Sequence, residues 1–138
     1  EVTDVNTQFI KALLHDGIVP VISPSAIVED GKTYNINADT AAGAIASALN
    51  AAQLVFVTDV PGILKDGKLL ETVTAADVEK LIADGTIYGG MIPKVKAALQ
   101  GAHGNVQEVM IVNGKKSRLM NKTNLKGTTI KVNSHIEV

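Results

Sequence analysis

The stretch Gln53-Leu54-Val55-Phe56-Val57-Thr58 is short, apolar and rich in β-branched residues, and it ends in the polar turn Asp59-Val60-Pro61-Gly62. Such a run is typical of a strand buried on both faces, and strands of that kind usually belong to parallel sheets. Residues 18–23 and 106–112 have the same character, and residues 128–132 predict a final strand.

Helical patterns alternate with these strands. Helices of ten or more residues between short apolar strands predict an α/β fold with a mostly parallel sheet and helices on both faces. Ligands in such folds bind outside the carboxyl ends of the strands, so the strand-to-helix junctions are the places to search. The predicted helices cover residues 5–14, 38–52, 75–83, 91–99 and 115–121.

Local signals mark where these elements begin and turn. Thr3 or Asp4 can cap the first helix, and Thr74 can cap the third, with Asp77 completing a shortened capping box. The second helix is so rich in alanine that it must pack closely against its neighbours. A hairpin turn is predicted at residues 29–32, and a turn is predicted at residues 65–68.

The composition excludes several classes of protein. The chain has 138 residues with a net charge of -1, which predicts one globular domain that does not bind nucleic acid. It contains no cysteine, which excludes thiolate metal sites and cysteine nucleophiles and fits a cytoplasmic location. No apolar run approaches the roughly 18 residues of a membrane span. Because His15, His103 and His135 lie far apart, no metal site is predicted.

The first junction is rich in side-chain amides. In an extended backbone, Asn35, Asn37 and Asp39 project on one face just before a helix begins. Asp39 alone can be explained as a helix cap, since aspartate is common at that position. Capping does not explain the two asparagines, whose donors and acceptors suit a small polar ligand.

The second junction is the turn that follows the strand at residues 53–58. It is either an ordinary Pro-Gly turn or the lining of a ligand crevice, and its place after a buried strand favours the crevice. Residues 62–68 have the spacing of a phosphate-binding P-loop, but Leu69 stands where that motif needs serine or threonine and no helix follows. We therefore do not interpret these residues as a P-loop.

The third junction is residues 85–94, which contain Gly89-Gly90 and, four residues after Gly90, Lys94. Adjacent glycines allow close approach of the backbone to a ligand, and a helix start offers free N–H groups to an anion. Lys94 lies about one turn into the helix, where its ammonium can reach a bound phosphate. The alternative is a solvated surface lysine beside Lys96.

These junctions resemble, in order and spacing, the C-terminal half of the acetylglutamate kinases, which belong to the amino-acid kinase family. The acetylglutamate kinases phosphorylate the γ-carboxylate of N-acetyl-L-glutamate with ATP in arginine biosynthesis. The resemblance implies the three-layer, carbamate kinase-like fold, with residues 1–138 as one domain. Four runs carry it: Gly17-Ile18-Val19-Pro20-Val21-Ile22, Tyr34-Asn35-Ile36-Asn37-Ala38-Asp39-Thr40-Ala41-Ala42, Thr58-Asp59-Val60-Pro61-Gly62-Ile63-Leu64 and Gly89-Gly90-Met91-Ile92-Pro93-Lys94-Val95.

The resemblance also implies roles for residues. Asn35 and Asn37 bind N-acetyl-L-glutamate, Lys94 stabilises the transferring phosphoryl group, and Asp39 orients the catalytic lysines. Mg²⁺ accompanies ATP without a dedicated cage on this chain. The implied nucleotide-binding residues are Thr58, Asp59, Val60, Gly62, Ile63, Gly89, Gly90 and Met91.

The chain departs from the family pattern in what it lacks. The N-terminal half of these kinases, with its Lys-x-Gly-Gly segment and its usual dimer interface, has no counterpart in the sequence. We therefore expect the chain to be half of a longer homo-oligomeric kinase and inactive alone. Residues 115–121 do not match the pattern of arginine-inhibited relatives. Two alternatives are a kinase for acetylaminoadipate, aspartate or carbamate, and a non-catalytic domain that senses nucleotide or another small ligand.

Overall fold

The computed structural model describes residues 2–104, 106–115 and 125–131. Twelve elements follow one another in these residues. They are α1 (Thr7–His15), β1 (Ser25–Ile27), β2 (Thr33–Asn35), α2 (Ala38–Leu49), β3 (Gln53–Thr58), β4 (Leu64–Lys65), β5 (Lys68–Leu69), β6 (Thr72–Thr74), α3 (Ala75–Ala83), α4 (Met91–His103), β7 (Glu108–Asn113) and β8 (Gly127–Lys131).

A four-stranded sheet with the order β3-β7-β8-β6 forms the centre of the fold. β3 pairs parallel with β7, as the sequence predicts, and β6, a strand that was not predicted from the sequence, pairs parallel with β8. β8, however, runs antiparallel to β7, so the sheet is mixed rather than uniformly parallel. The predicted α/β class is confirmed, and two small antiparallel hairpins, β1-β2 and β4-β5, stand outside this sheet.

The core surrounds β7. Every residue of this strand after Glu108 is buried, so both faces of the strand are covered. Val109 and Ile111 face a cluster that includes Phe56 from β3 and Val95 and Ala98 from α4. Burial of this kind contributes about 25 cal/mol per Å² of apolar surface, and it fixes α4 across the sheet.

α2 and α4 pack unusually closely, as the alanine-rich sequence predicts. A Cβ added to Gly43 in α2 would lie 2.9 Å from the backbone oxygen of Ala97 in α4. Only hydrogen fits at that point, so the two backbones are nearly in contact. This contact sets the distance between the N-terminal turns of the two helices.

Several local predictions are confirmed. β3 has the predicted bounds, and the Thr74 and Asp77 side chains form the predicted capping box at the start of α3. The β4-β5 turn places Asp66 and Gly67 at φ values of 51° and 76°, the conformation of a tight hairpin rather than of a P-loop. The hairpin turn at residues 29–32 joins β1 and β2.

Residues 18–23 do not form the buried strand that the sequence predicts. They take part in none of the strand pairings among the described residues, and Val19 and Val21 are 83% and 98% exposed. The apolar pattern is present, but these side chains have no neighbouring strand against which to pack. β3 is correspondingly less buried than predicted, because it is the edge strand of the described sheet and Val57 is half exposed.

Other boundaries also differ from the predictions. The α1 cap is Asn6, whose side chain accepts a hydrogen bond from Phe9 N, instead of Thr3 or Asp4. α4 continues to His103, and α2 ends at Leu49 with Asn50 in the left-handed conformation. Residues 116–121 of the helix predicted at 115–121, residue 132 of the last predicted strand, and His135 lie outside the described residues. No helix in the described part of the chain is long and apolar enough to cross a membrane.

Gly43→Ala should destabilise the protein although alanine favours helices by roughly 1 kcal/mol over glycine. The new methyl group would press on the Ala97 backbone, so α2 and α4 must separate. We expect a lower melting temperature by circular dichroism. Gly90→Ala is the matched control, because a Cβ at Gly90 meets nothing within 4 Å. Equal melting temperatures for the two variants would contradict the packing described.

Asp77→Asn should lower the melting temperature at neutral pH more than in acid. Hydrogen bonds from the Thr74 side chain and backbone lower the pKa of Asp77 below its usual 3.8. The stabilisation is therefore fully present above 3.8 and is lost as the pH falls through the lowered pKa. Thermal unfolding at neutral pH and below about pH 3 checks this. In a Thr74→Ala background, the same change should have a smaller effect.

Candidate functional site

The N-terminal turns of α2 and α4 bring together two opposite charges. Lys94 Nζ lies 2.8 Å and 3.0 Å from the two carboxylate oxygens of Asp39. Both side chains are largely removed from water, at 16% and 23% exposure for Lys94 and Asp39. The ammonium also lies 5.6 Å from the centre of the Phe56 ring, a cation–π distance. Lys94 is therefore a partly buried, fixed cation, and its interpretation as a solvated surface lysine is wrong.

Asp39 is available for this pair because another residue caps α2. The Asn37 side-chain oxygen accepts a hydrogen bond from Thr40 N at 3.0 Å and one from Thr40 Oγ1 at 3.3 Å. Asp39 lies in the first turn of the helix, and its carboxylate points to α4. The explanation of Asp39 as the helix cap is therefore wrong, and Asn37 has that role.

A cavity of about 490 Å³ opens beside Lys94. Its size falls in the range of small-molecule sites. One wall is the segment that follows β3, and the opposite wall is the segment between α3 and α4. The lining residues are Thr58, Asp59, Val60, Gly62, Ile63, Leu64, Thr86, Ile87, Tyr88, Gly90, Met91 and Lys94.

The structure thus brings the second and third predicted junctions to one cavity. Seven of the eight implied nucleotide-binding residues line it, and Lys94 lines it as well. Gly89 is not among the lining residues, although its φ of 56° helps the chain to turn into α4. Asn35 and Asn37 are exposed and do not line the cavity. Their implied role in substrate binding stays a prediction.

Thr86, Ile87 and Tyr88 also line the cavity; they stand in the third junction, but no role was predicted for them from the sequence. Asp84 fixes the turn before them, since its carboxylate accepts a hydrogen bond from Thr86 N at 2.9 Å. That interaction, through the Thr86 side chain and backbone, lowers the pKa of Asp84. A signal was present in the sequence, because Tyr88 is one of only two tyrosines and stands directly before two glycines.

The start of α4 does not offer the set of free N–H groups that the sequence predicts. Met91 N and Ile92 N already donate to the carbonyls of Tyr88 and Gly89, at 3.2 Å and 3.1 Å. Pro93 carries no N–H group. The positive charge at this wall of the cavity therefore comes from the Lys94 ammonium more than from the first backbone amides of the helix.

The described ranges contain no group of three or more His, Asp or Glu side chains that could hold a metal ion. Asp59 is the carboxylate among the cavity-lining residues, and Thr58 Oγ1 donates to it at 3.3 Å. This donor set does not fit a resident metal centre. A divalent cation that is already bound to a ligand's phosphates needs only one or two protein carboxylates.

Comparison with known proteins identifies the family to which this fold belongs. The model of the amino acid kinase family matches residues 1–113. Acetylglutamate kinase of Geobacillus kaustophilus (strain HTA426) is 55% identical over 130 residues, which cover 94% of this chain and 50% of that protein. The chain therefore spans about half the length of the curated relatives it matches.

Solved structures support the same fold. N-acetylglutamate synthase from Neisseria gonorrhoeae, complexed with coenzyme A and L-arginine, superimposes with a TM-score of 0.86 at 27% identity, over 95% of this chain and 32% of that one. Carbamate kinase from Giardia lamblia superimposes with a TM-score of 0.74 at 22% identity, over 93% of this chain and 45% of that one. The predicted carbamate kinase-like fold is confirmed. Since the family model covers residues 1–113, the chain belongs to the amino acid kinase family.

Proposed function

We propose that this chain is the ATP-binding, C-terminal half of an acetylglutamate kinase, which transfers the γ-phosphoryl group of ATP to the γ-carboxylate of N-acetyl-L-glutamate in arginine biosynthesis. The observation that carries the proposal is the fixed Lys94 ammonium at the wall of the cavity. The identity of 55% to an acetylglutamate kinase supports the choice of substrate. Because the chain spans half of that relative, an N-terminal half supplies the remaining substrate contacts and the homo-oligomer interface.

Phosphoryl transfer needs positioning and positive charge more than covalent chemistry. Negative charge is spread over the oxygens of the transferring group, and a fixed cation in a site of low dielectric constant stabilises it strongly. Lys94 meets this need because its Nζ is held by both oxygens of Asp39 and lies close to Phe56. Asp39 holds the ammonium in place before the reaction begins.

The cavity walls suit a nucleotide that enters beside Lys94. Val60, Leu64 and Met91 supply apolar surface, and Thr58 and Asp59 supply polar groups at the end of β3. In our proposal, Mg²⁺ arrives with ATP as part of the substrate. It neutralises charge on the phosphates, while the chain's own residues orient the nucleotide. We place the enzyme in the cytoplasm, in keeping with the absence of cysteine.

A regulatory or sensor domain is the second candidate. The similarity to N-acetylglutamate synthase keeps this candidate open, since a protein that is not named as a kinase shares this fold. Fold alone therefore does not choose between a kinase and a binding domain. The Lys94–Asp39 pair does favour a kinase, because a sensor has no need of a cation fixed for charge that develops only in a transition state.

Titration calorimetry of the 138-residue chain with Mg-ADP tests the nucleotide site. We expect saturable binding, weakened about tenfold or more by Gly90→Val, because the added side chain enters the cavity without displacing protein atoms. Lys96→Ala is the control, since Lys96 lies exposed on the same helix. A folded chain that does not bind Mg-ADP would argue against a nucleotide site complete within this half.

In a protein that carries both halves, Lys94→Ala should lower kcat by about 100-fold to 1,000-fold with a small change in the KM for ATP. Loss of one preorganised charge at a transition state has roughly this effect. Lys96→Ala should leave kcat within about twofold, because surface substitutions away from a site are nearly neutral. A coupled assay of ADP release measures both. If Lys94→Ala weakens only ligand affinity, the sensor function is correct instead.

A further inference from the structure

We propose that Thr128 and Asn113 are positioning residues that hold residues 59–63 in the conformation that lines the cavity. The proposal rests on the proposed function insofar as the cavity binds a nucleotide. Neither residue lines the cavity. They are the two buried polar residues of the described ranges, and the side chains of both bond to the backbone of this one segment.

Thr128 holds the C-terminal end of residues 59–63. It lies in β8 with no exposed surface, and its Oγ1 accepts a hydrogen bond from Ile63 N at 2.9 Å. Ile63 is itself only 2% exposed, so water cannot replace this acceptor. A buried N–H without a partner is strongly unfavourable, and the hydroxyl of Thr128 therefore determines where Ile63 can lie.

The chain passes directly over Thr128. Gly62 has a φ of 140°, and a Cβ at that position would lie 2.6 Å from Thr128 Oγ1. The segment thus approaches the hydroxyl as closely as a residue without a side chain allows. The carbonyl oxygen of Ile63 accepts a hydrogen bond from Leu70 N at 2.9 Å, so the backbone of this residue is held on both sides.

Asn113 holds the N-terminal end of residues 59–63. It is the last residue of β7, it is 6% exposed, and its Nδ2 donates to the backbone oxygen of Asp59 at 3.0 Å. Its Oδ1 accepts from Lys115 N at 2.8 Å, which holds the amide in this orientation. The next residue reinforces the attachment, because Gly114 N donates to the oxygen of Thr58 at 2.8 Å.

Residues 59–63 are therefore fixed at both ends to the two central strands, β7 and β8. The cavity-lining atoms of Asp59, Gly62 and Ile63 take their positions from side chains that lie behind them. Thr128 also lies beyond residue 113, where the family model stops matching the chain. The shape of the cavity thus depends on a strand outside the matched region.

A comparison of Thr128→Val with Thr128→Ser separates the effect of the hydroxyl group from the effect of the side-chain shape. Valine keeps the volume, removes the acceptor and places a methyl group 2.9 Å from Ile63 N, which is too short for a carbon contact. Serine keeps the acceptor. The matched control is Thr129→Val, which makes the same change on the opposite face of β8. All variants are made in the 138-residue chain.

The first readout is amide hydrogen exchange by NMR. In Thr128→Val we expect Ile63 N–H and its neighbours to exchange about tenfold faster, while the β7 amides keep their wild-type rates. Thr128→Ser and Thr129→Val should resemble the wild type. If Thr128→Val leaves Ile63 exchange unchanged, the positioning role is wrong. If it accelerates β7 equally, Thr128 is merely structural and the proposal is also wrong.

The second readout is the Kd for Mg-ADP, which we expect Thr128→Val to raise about tenfold and Thr128→Ser to leave near wild type. If the wild type binds and Thr128→Val binds equally well, the link to the site is wrong. If the wild type does not bind, the nucleotide site fails, and Ile63 exchange still decides the positioning role. Should Thr128→Val not fold, Asn113→Asp is measured instead, since it removes the donor to the Asp59 carbonyl oxygen and keeps the acceptor for Lys115 N. Faster amide exchange in residues 59–63 with unchanged β7 amides then supports the positioning role, and unchanged exchange in residues 59–63 contradicts it.

Discussion

The close packing of α2 against α4 is the constraint on which the site depends. Gly43 leaves room for the Ala97 carbonyl, so the two helix starts lie near enough for Asp39 and Lys94 to form two short hydrogen bonds. A mostly buried ammonium is stable only with an opposite charge and good geometry. The helix contact thus supplies the geometry, and the ion pair in turn fixes the cation at the wall of the cavity.

The two polar side chains at the start of α2 have separate tasks. The Asn37 side chain accepts a hydrogen bond from Thr40 N in the first turn of the helix, and Asp39, two residues after Asn37, faces α4. If Asp39 itself capped the helix, its oxygens would be engaged by backbone N–H groups and Lys94 would lack its partner. The motif Asn-Ala-Asp at residues 37–39 therefore combines a structural cap with a residue that orients the cation.

Local signals in the sequence predicted local structure well. The bounds of β3, the capping box of Thr74 and Asp77, and the β4-β5 hairpin depend on residues close in the chain. Long-range features were not predictable in this way. Lys94 and Asp39 are 55 positions apart, so spacing alone does not bring them together, and only the family resemblance implied their relation. Residues 18–23 carry a strand pattern, but a pattern does not supply the neighbouring strand that burial requires.

The position of β8 between β7 and β6 has a consequence for the order of events during synthesis. Among the described strands, β6 joins the sheet only through β8, and Thr72 pairs with Thr129. When α4 and β7 have left the ribosome, the sheet therefore still lacks β8. This strand must then insert between β7 and β6, which are both synthesised before it. The cavity reaches its final shape only when the nascent chain has extended past residue 128.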